Sequence, residues 1–439
     1  MRYAAADVRK QFFIDMFTRD ISLEECVLDL IDNSIDSYLQ KHSVSVSKLV
    51  FEPETANVGK GVGTVEVTCN EHQIKVVDTC GGISRHRAQD EVFCFGHSAG
   101  EELGKLGAYG VGMKRALFKI GNNFRIVSRT AEEGFEVSFK LDEWAEKSEW
   151  KVPITFIEGT GSERRAGTAI TITELRPEVE LRIKEGDVPK NIFEDASNTY
   201  PYFLGNCVRL RINDDDVDPK PINLGELNGV LRAANEKFEH DGVKVKLAAT
   251  VAPGQRTSED AGWYVLCNGR VVVRADKTNL TGWSRDFASF QPKYRSFIGV
   301  ASFESDNPLN LPWTTTKRDL NRESTSFIKA RALMATMTRP ILTFLNSQYP
   351  AESTTEVADI RDTVGNVKAI SFNDVAAKPS TGFLYTPPKR KEKKFEWVRF
   401  QAEVRLLDKV RQRLRRSSMG AAEIGRHVLD HFVKTECEE

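Results

Sequence analysis

Apolar residues recur with helical spacing between residues 21 and 40. The stripe consists of Leu23, Val27, Leu30, Ile31 and Ile35. Residues three or four positions apart share one face of a helix, so the pattern predicts an amphipathic helix. Ser22 and Glu25, three residues apart, have the spacing of a capping box at its start.

Runs of alternating or continuous apolar residues predict strands elsewhere in the first 200 residues. They lie at 62–69, 73–77, 123–129, 134–140 and 167–173. A helix is predicted at 111–120, where it opens out of a glycine-rich loop. Beyond residue 200, strands are predicted at 207–212, 243–251, 263–274 and 297–303, and a helix at about 324–346.

The C-terminal quarter of the chain has a different composition. Residues 350–392 are rich in Pro, Ser, Thr and Lys, which is typical of a linker or mobile segment, and 395–435 regain a helical pattern. We therefore predict four regions. They are folded units at 1–200 and 201–349, a linker at 350–394 and a helical, basic segment at 395–439.

Overall composition excludes several classes of protein. The 439 residues include 62 Lys and Arg against 63 Asp and Glu, so no global charge favours nucleic acid or a membrane surface. No apolar run reaches the roughly 18–20 residues of a membrane span, and the N-terminus lacks the apolar core of a signal peptide. The seven cysteines show no regular spacing. We expect a cytoplasmic protein with reduced thiols and no membrane partner.

The predicted first helix carries an unusually polar stretch, DLIDNSID, at residues 29–36. Asp29, Asn33 and Asp36 are spaced to share one face, away from the apolar stripe. An asparagine beside carboxylates suits a hard cation such as magnesium. Taken alone, the octapeptide also fits an ordinary amphipathic helix with a solvated acidic face.

Three later segments add chemistry in a fixed order. Asp78 ends a predicted strand and is followed by Gly81 and Gly82, which allow a tight turn and close approach of a flat ring. The segment GAYGVGMK, residues 107–114, places three glycines and a lysine at the start of a helix, where free N–H groups suit phosphate. Thr168 opens a β-branched strand. Each segment alone is also compatible with a simple turn or loop.

In this order, the four segments resemble the GHKL ATPases, the superfamily of gyrase B, the ninety-kilodalton heat-shock chaperones, histidine kinases and MutL. The segment GAYGVGMKRALFKIG is most similar to the microrchidia (MORC) branch and its bacterial relatives. The resemblance covers about residues 10–180 strongly and 200–350 weakly. It implies an α+β fold: a Bergerat-fold ATP-binding α/β sandwich, then an α/β transducer domain like ribosomal protein S5, then a helical tail.

The resemblance also implies roles for individual residues, with ATP and Mg²⁺ as cofactors. Asn33 would coordinate the magnesium, Asp78 would accept the adenine amino group, and Gly82 would make room for the ring. Thr168 would form a hydrogen bond near Asp78. The lid over the phosphates would comprise Gly107, Tyr109, Gly110, Val111, Gly112, Met113 and Lys114, and would begin near His97 and Ser98.

Two positions depart from the family pattern. The family usually has Glu where this chain has Asp29, the residue that would activate the attacking water. The side chain is one methylene shorter, so direct activation would be slow or need a relay, with Glu25 as a weaker substitute. Cys80 replaces a usual glycine after Asp78. These departures favour ATP binding more than hydrolysis.

In the second unit, TTTKRDL at 314–320 resembles the transducer loop that delivers a lysine to the γ-phosphate, which makes Lys317 the candidate sensor. A solvated surface loop is the alternative. The tail between residues 389 and 416 has twelve Lys or Arg and four Asp or Glu. It is compatible with a solvated helix face, with DNA backbone or with an acidic partner.

The leading hypothesis is an ATP-driven conformational switch that forms an ATP-dependent homodimer, with MRYAAADVRKQFF as an exchanged arm. By resemblance it would act in a DNA-associated or bacterial defence process. The alternative is a non-hydrolysing ATP-sensing scaffold that regulates an effector protein. A histidine kinase is disfavoured, because no phosphoacceptor helix pair precedes the ATP-binding region.

Overall fold

The computed structural model describes residues 9–51, 62–94, 106–107, 110–254, 256–349, 355–387, 398–399 and 401–437. The chain divides into two compact units between residues 388 and 389. In the described residues, the larger unit contains an eight-stranded sheet, a five-stranded sheet and two sheets of two strands, and the smaller is helical.

The first sheet is large and mixed. Its eight strands are β1 Gly63–Asn70, β2 Gln73–Asp78, β3 Gly121–Arg129, β4 Glu133–Lys140, β5 Ile154–Glu158, β6 Gly167–Leu175, β7 Val208–Ile212 and β8 Asp215–Asp216. They run in the order β5-β4-β3-β6-β2-β1-β7-β8. Only β1 and β7 pair in parallel, and the other neighbours are antiparallel. This mixed sheet agrees with the predicted α+β fold of an ATPase.

Helices accompany this sheet. They are α1 Lys10–Arg19, α2 Leu23–His42, α3 Val46–Phe51, α4 Arg85–Arg87, α5 Gly112–Ile120, α6 Leu141–Glu146, α7 Pro177–Lys184 and α8 Asp187–Thr199. The predicted capping box of α2 is confirmed: Ser22 Oγ accepts from the Glu25 N–H at 3.1 Å, and the Ser22 N–H donates to Glu25 Oε2 at 2.7 Å. The cap fixes where α2 begins, and thus which residues face the sheet.

The second sheet has five strands. They are β11 Ala234–His240, β12 Val243–Val251, β13 Gly262–Cys267, β14 Arg270–Asp276 and β15 Phe297–Glu304, in the order β11-β12-β15-β13-β14. Alternate residues of β12 face a core shared with α9, Thr325–Asn346, as the period of two predicts. The predicted strand at 263–274 is a hairpin that turns at Asn268 and Gly269.

The predicted linker differs from the structure. Residues 355–385 contain α10 Thr355–Asn366, β16 Lys368–Ser371, α11 Phe372–Ala377 and β17 Leu384–Tyr385. The two strands pair with β9 Asn223–Glu226 and β10 Leu231–Arg232, and Phe372 and Val375 are fully buried. Composition misled the prediction, because the strand partners lie more than 100 residues away in sequence.

The C-terminal unit contains α12 Val404–Leu414 and α13 Ala421–Phe432. In the described part of the chain, no helix combines the length and the apolar character needed to cross a membrane.

Two contacts position the cavity described below. Helices α2 and α5 pack against each other beside the first sheet. The β13–β14 turn of the second sheet approaches α3 so closely that a Cβ on Gly269 would lie 2.7 Å from Val50 Cγ2. Gly269 also has a φ of +73°, so a glycine is required on both counts.

Candidate functional site

A cavity lies over the polar face of α2 and brings most of the predicted site residues together. Eleven of them line it: Asp29, Asn33, Asp78, Gly107, Gly110, Val111, Gly112, Met113, Lys114, Thr168 and Lys317. Lys317 lies in the segment between β15 and α9, 288 residues from Asp29 in sequence. Tyr109, His97 and Ser98 lie outside the described residues, so their predicted roles stay predictions.

Gly82 does not line this cavity. A Cβ at Gly82 would lie 2.1 Å from the carbonyl oxygen of Arg129, and the residue has a φ of +72°. Backbone crowding and a left-handed conformation therefore require glycine here. The predicted role, making room for a ring, stays a prediction beside this backbone requirement.

Glu25 also lies outside the cavity lining. Its carboxylate serves the α2 capping box and lies 3.3 Å from Arg318 Nε. The structure therefore does not bring this proposed substitute base to the site.

The glycine loop lies directly on the polar face of α2. A Cβ on Gly112 would lie 3.0 Å from Asp29 Cγ, so a larger residue here would crowd the Asp29 carboxylate. The Asp36 carboxylate accepts the backbone N–H groups of Leu106 and Gly107, each at 2.7 Å. Burial raises the pKa of Asp36 to about 6 despite these bonds. Asp36 thus anchors one end of the loop to α2.

Asp78 is held firmly and keeps accepting capacity towards the cavity. Its Oδ1 accepts from the N–H groups of Cys80 at 2.8 Å and Thr168 at 3.3 Å, and Ser34 Oγ lies 3.2 Å from Oδ2. Burial raises the pKa of Asp78 to about 6. The Cys80 side chain is fully buried, so cysteine is accommodated where the family usually has glycine.

Thr168 acts through its backbone as well as its side chain. Its N–H reaches Asp78, whereas its hydroxyl lies 2.8 Å from Ser128 Oγ. The predicted neighbourhood of Thr168 and Asp78 is therefore present in the structure.

Asn33 is half-buried at the cavity, and its side chain has no hydrogen-bond partner among the described residues. Within that same set, no group of three His, Cys, Asp or Glu side chains could hold a metal ion. Magnesium needs few protein ligands when phosphates and waters supply the rest. The free amide therefore fits a metal that arrives with a nucleotide.

Lys114 points back into the loop that precedes it. Its ammonium group donates to the carbonyl oxygens of Gly110 and of Cys94. Burial lowers the pKa of Lys114 to about 8. In this conformation the lysine stabilises the loop, so a phosphate contact would require it to exchange partners.

A buried charge network forms the floor of the cavity. Asp29 Oδ2 accepts from Arg115 Nη2 at 2.7 Å, and its Oδ1 lies 3.2 Å from Lys317 Nζ. Lys317 Nζ also lies 2.6 Å from Asp32 Oδ2. These four side chains are all less than 8% exposed. The candidate base and the candidate sensor are therefore ion-paired with each other.

Two further residues complete the network around Asp32. Its Oδ1 accepts from Tyr200 Oη at 2.7 Å and from Arg270 Nε at 3.1 Å. Burial alone would raise the pKa of Asp32, but the charges of Arg270 and Lys317 lower it below its usual value. Burial alone would lower the pKa of Lys317, but the carboxylates raise it.

Sequence reasoning missed Arg115, Asp32, Arg270 and Tyr200. Asp32 lies three residues after Asp29, so helical spacing was a usable signal. Arg115 directly follows the predicted Lys114. Arg270 and Tyr200 gave no local signal, because they reach Asp32 across 238 and 168 residues of sequence.

The network carries more positive than negative charge. Three cations, Arg115, Arg270 and Lys317, face two carboxylates. Arg115 also has a buried Nε without a hydrogen-bond partner among the described residues. This free donor at the cavity favours an anionic ligand.

Comparison with known proteins identifies the part of the chain that builds this cavity. Residues 21–168 match the family model of the histidine kinase-, DNA gyrase B- and HSP90-like ATPases. No curated protein sequence matches the chain. The matched ATPase segment runs from the start of α2 to Thr168 and indicates ATP binding. Domains of this family are generally ATPases. The match does not reach the second sheet, and it does not single out the microrchidia branch.

Proposed function

We propose that this protein binds ATP with Mg²⁺, hydrolyses it slowly and uses it as a conformational switch. One observation carries the proposal. Lys317 follows the last strand of the second sheet and lies in the same cavity as Asn33, Asp78 and the glycine loop of the ATPase segment. A ligand that contacts both parts differently in two states shifts their equilibrium.

The binding roles follow from the contacts. Asp78 would accept the adenine amino group, because two backbone donors fix its Oδ1, the Ser34 hydroxyl fixes its Oδ2, and the residue lines the cavity. The free N–H groups at the start of α5 would bind phosphate. Asn33 would hold magnesium together with phosphates and waters, and the metal would neutralise phosphate charge.

Hydrolysis would depend on Asp29. Both of its oxygens are occupied, one by Arg115 and one by Lys317. A general base must reach the proton that it removes. Turnover would therefore require Lys317 to leave Asp29, and we expect a low rate.

The second candidate function is a non-hydrolysing ATP-sensing scaffold that regulates an effector protein. The same pairing of Asp29 favours it, because a carboxylate held by two cations is a poor base. An assay of phosphate release by the purified chain separates the two functions. If the chain binds ATP but releases no phosphate, the result supports the scaffold.

Dimerisation and the downstream partner belong to the same proposal. Phe12, within the proposed exchanged arm, and Met16, which follows the arm on α1, are 60% and 61% exposed and offer an apolar surface. Residues 1–8 of the arm lie outside the described part. The similarity to the microrchidia branch and the basic α12 support a DNA-associated or defence role with a homodimer, DNA or an effector as partner.

The experiment that tests ATP binding is the substitution Asn33→Ala. Removing the unpartnered amide oxygen should weaken Mg²⁺–ATP binding at least about 100-fold, because the metal loses its protein ligand. Affinity is measured by calorimetry with and without magnesium. Asn228→Ala, at an exposed position between β9 and β10, is the matched control.

Three outcomes are informative. Loss of affinity in Asn33→Ala alone supports the assignment. Full affinity in this variant would remove Asn33 from the site, and absence of binding by the wild-type chain would overturn the proposed function.

A further inference from the structure

Asp32 is central to the buried network although it has no direct role in the proposed reaction. It is fully buried and does not line the cavity, yet it holds three side chains, Tyr200, Arg270 and Lys317. Its oxygen lies 2.6 Å from Lys317 Nζ, closer than the 3.2 Å between that nitrogen and Asp29. The ammonium of Lys317 is therefore held mainly by a residue that cannot touch the nucleotide.

The backbone of Lys317 is held by the same group of residues. Arg270 donates through Nη1 to the Lys317 carbonyl oxygen at 2.8 Å and through Nε to Asp32. Lys317 has a φ of +56°, which is uncommon for a residue with a Cβ and persists only where the surroundings impose it. Arg270 thus fixes the loop, and Asp32 fixes the end of the side chain.

We propose that Asp32 is a positioning residue that competes with the γ-phosphate for Lys317, with Arg270 holding the loop in reach of both. This inference rests on the proposed function. Lys317 would pair with Asp32 without nucleotide and exchange towards the γ-phosphate when ATP binds. Asp32 would not be left alone after the exchange, because Arg270 and Tyr200 remain bonded to its other oxygen.

The competition sets how strongly the protein prefers ATP to ADP. Only ATP carries the γ-phosphate, so only ATP binding must draw Lys317 away from Asp32. A charge-assisted hydrogen bond to a buried group has a substantial net strength. Asp32 therefore lowers the affinity for ATP while leaving ADP affinity almost unchanged, and it keeps the switch in its resting state at low ATP.

The test is Asp32→Asn, which keeps the shape but removes the charge. We expect the ratio of ATP to ADP affinity to rise about tenfold. Both affinities are measured on the full chain by calorimetry with magnesium present. The ratio cancels any general loss of folded protein, because misfolding weakens both nucleotides alike.

Two variants separate positioning from a merely structural effect. Asp32→Asn in a Lys317→Gln background should leave the ratio unchanged, because the competitor acts only through that lysine. Tyr200→Phe disturbs the same buried cluster without removing the Asp32–Lys317 pair, so its ratio should stay within about twofold. If Asp32→Asn fails to fold, Asp32→Ser, which also removes the charge but keeps a hydroxyl oxygen as an acceptor and leaves Arg270 in place, should raise the ratio as well.

The outcomes distinguish the inference from the function on which it rests. An unchanged or lower ratio in folded Asp32→Asn overturns the inference, as does an equal rise in the Lys317→Gln background. Absence of ATP binding by the wild-type chain is a failure of the proposed function itself.

Discussion

The two sides of helix α2 differ in how completely their polar groups are paired. Towards the second sheet, Asp32 has three partners and is fully buried. Towards the cavity, Asn33, the next residue, has no hydrogen-bond partner among the described residues. Adjacent residues of one helix point about 100° apart, so a single turn serves both sides.

This difference separates two tasks. Groups with free capacity are available to bind a ligand, whereas in the proposed switch the groups with complete sets of partners would transmit its effect. Asp29 lies between the two sides: it lines the cavity, yet both of its oxygens are ion-paired. Substitutions on one side of α2 at a time test this difference, because each side should affect a different property: binding, turnover or nucleotide preference.

The largest effect is expected for Asp29→Asn. If Asp29 activates water, its loss should lower the rate of phosphate release about 100-fold or more, while ATP binding is retained. A phosphate-release assay and calorimetry on the same sample measure the two quantities. Asp142→Asn, at an exposed position of α6, is the matched control.

Unchanged turnover in Asp29→Asn would show that another group is the base. It would also move Asp29 to the side of α2 that transmits the effect of the ligand, together with Asp32.

A smaller effect is expected for Lys317→Gln. The variant should bind ADP as the wild type does but lose about tenfold in its affinity for ATP relative to ADP, because the γ-phosphate loses a charged donor. Asp29 keeps Arg115 and Asp32 keeps Arg270, so neither carboxylate becomes unpaired. Lys329→Gln, an exposed lysine of α9, is the control.

An equal loss of ATP and ADP affinity would contradict the role of Lys317 as a sensor of the γ-phosphate. It would show instead that Lys317 supports the whole cavity.

The residues of α2 that face the cavity were easier to predict from sequence than the network that faces the second sheet. Asn33 and Asp29 are one helical turn apart, and the glycine loop is continuous in sequence, so local spacing sufficed. Arg270 reaches Asp32 across 238 residues, and no local pattern contains that information. The N-cap of α2 followed from its capping box, which is also local.

Two features that sequence reasoning missed have the same physical origin. At Gly82, the backbone of Arg129, which lies on another strand, requires a glycine independently of any ring contact. Residues 355–385 were assigned to a linker, because the strands that pair with β16 and β17 are remote. Tertiary contacts decide both cases, and one sequence does not display them.

The smallest effect is expected for the pH dependence of the contact between Asp78 and the adenine ring. Burial raises the pKa of Asp78 to about 6. The adenine amino group is a donor and favours the ionised carboxylate, so ATP affinity should be complete above pH 6 and fall as the pH drops through it. Between pH 7.5 and 5.5 we expect a loss of about fourfold.

Asp36 has a pKa of about 6 for the same reason, and its protonation would loosen the glycine loop. Inosine triphosphate separates the two groups, because it has the same phosphates but an oxygen acceptor in place of the amino donor. Protonated Asp78 can donate to that oxygen, so the preference for ATP over inosine triphosphate should shrink with falling pH. Loosening of the loop affects both nucleotides alike. A preference that stays constant from pH 7.5 to 5.5 would remove Asp78 from the base contact and leave Asp36 as the titrating group.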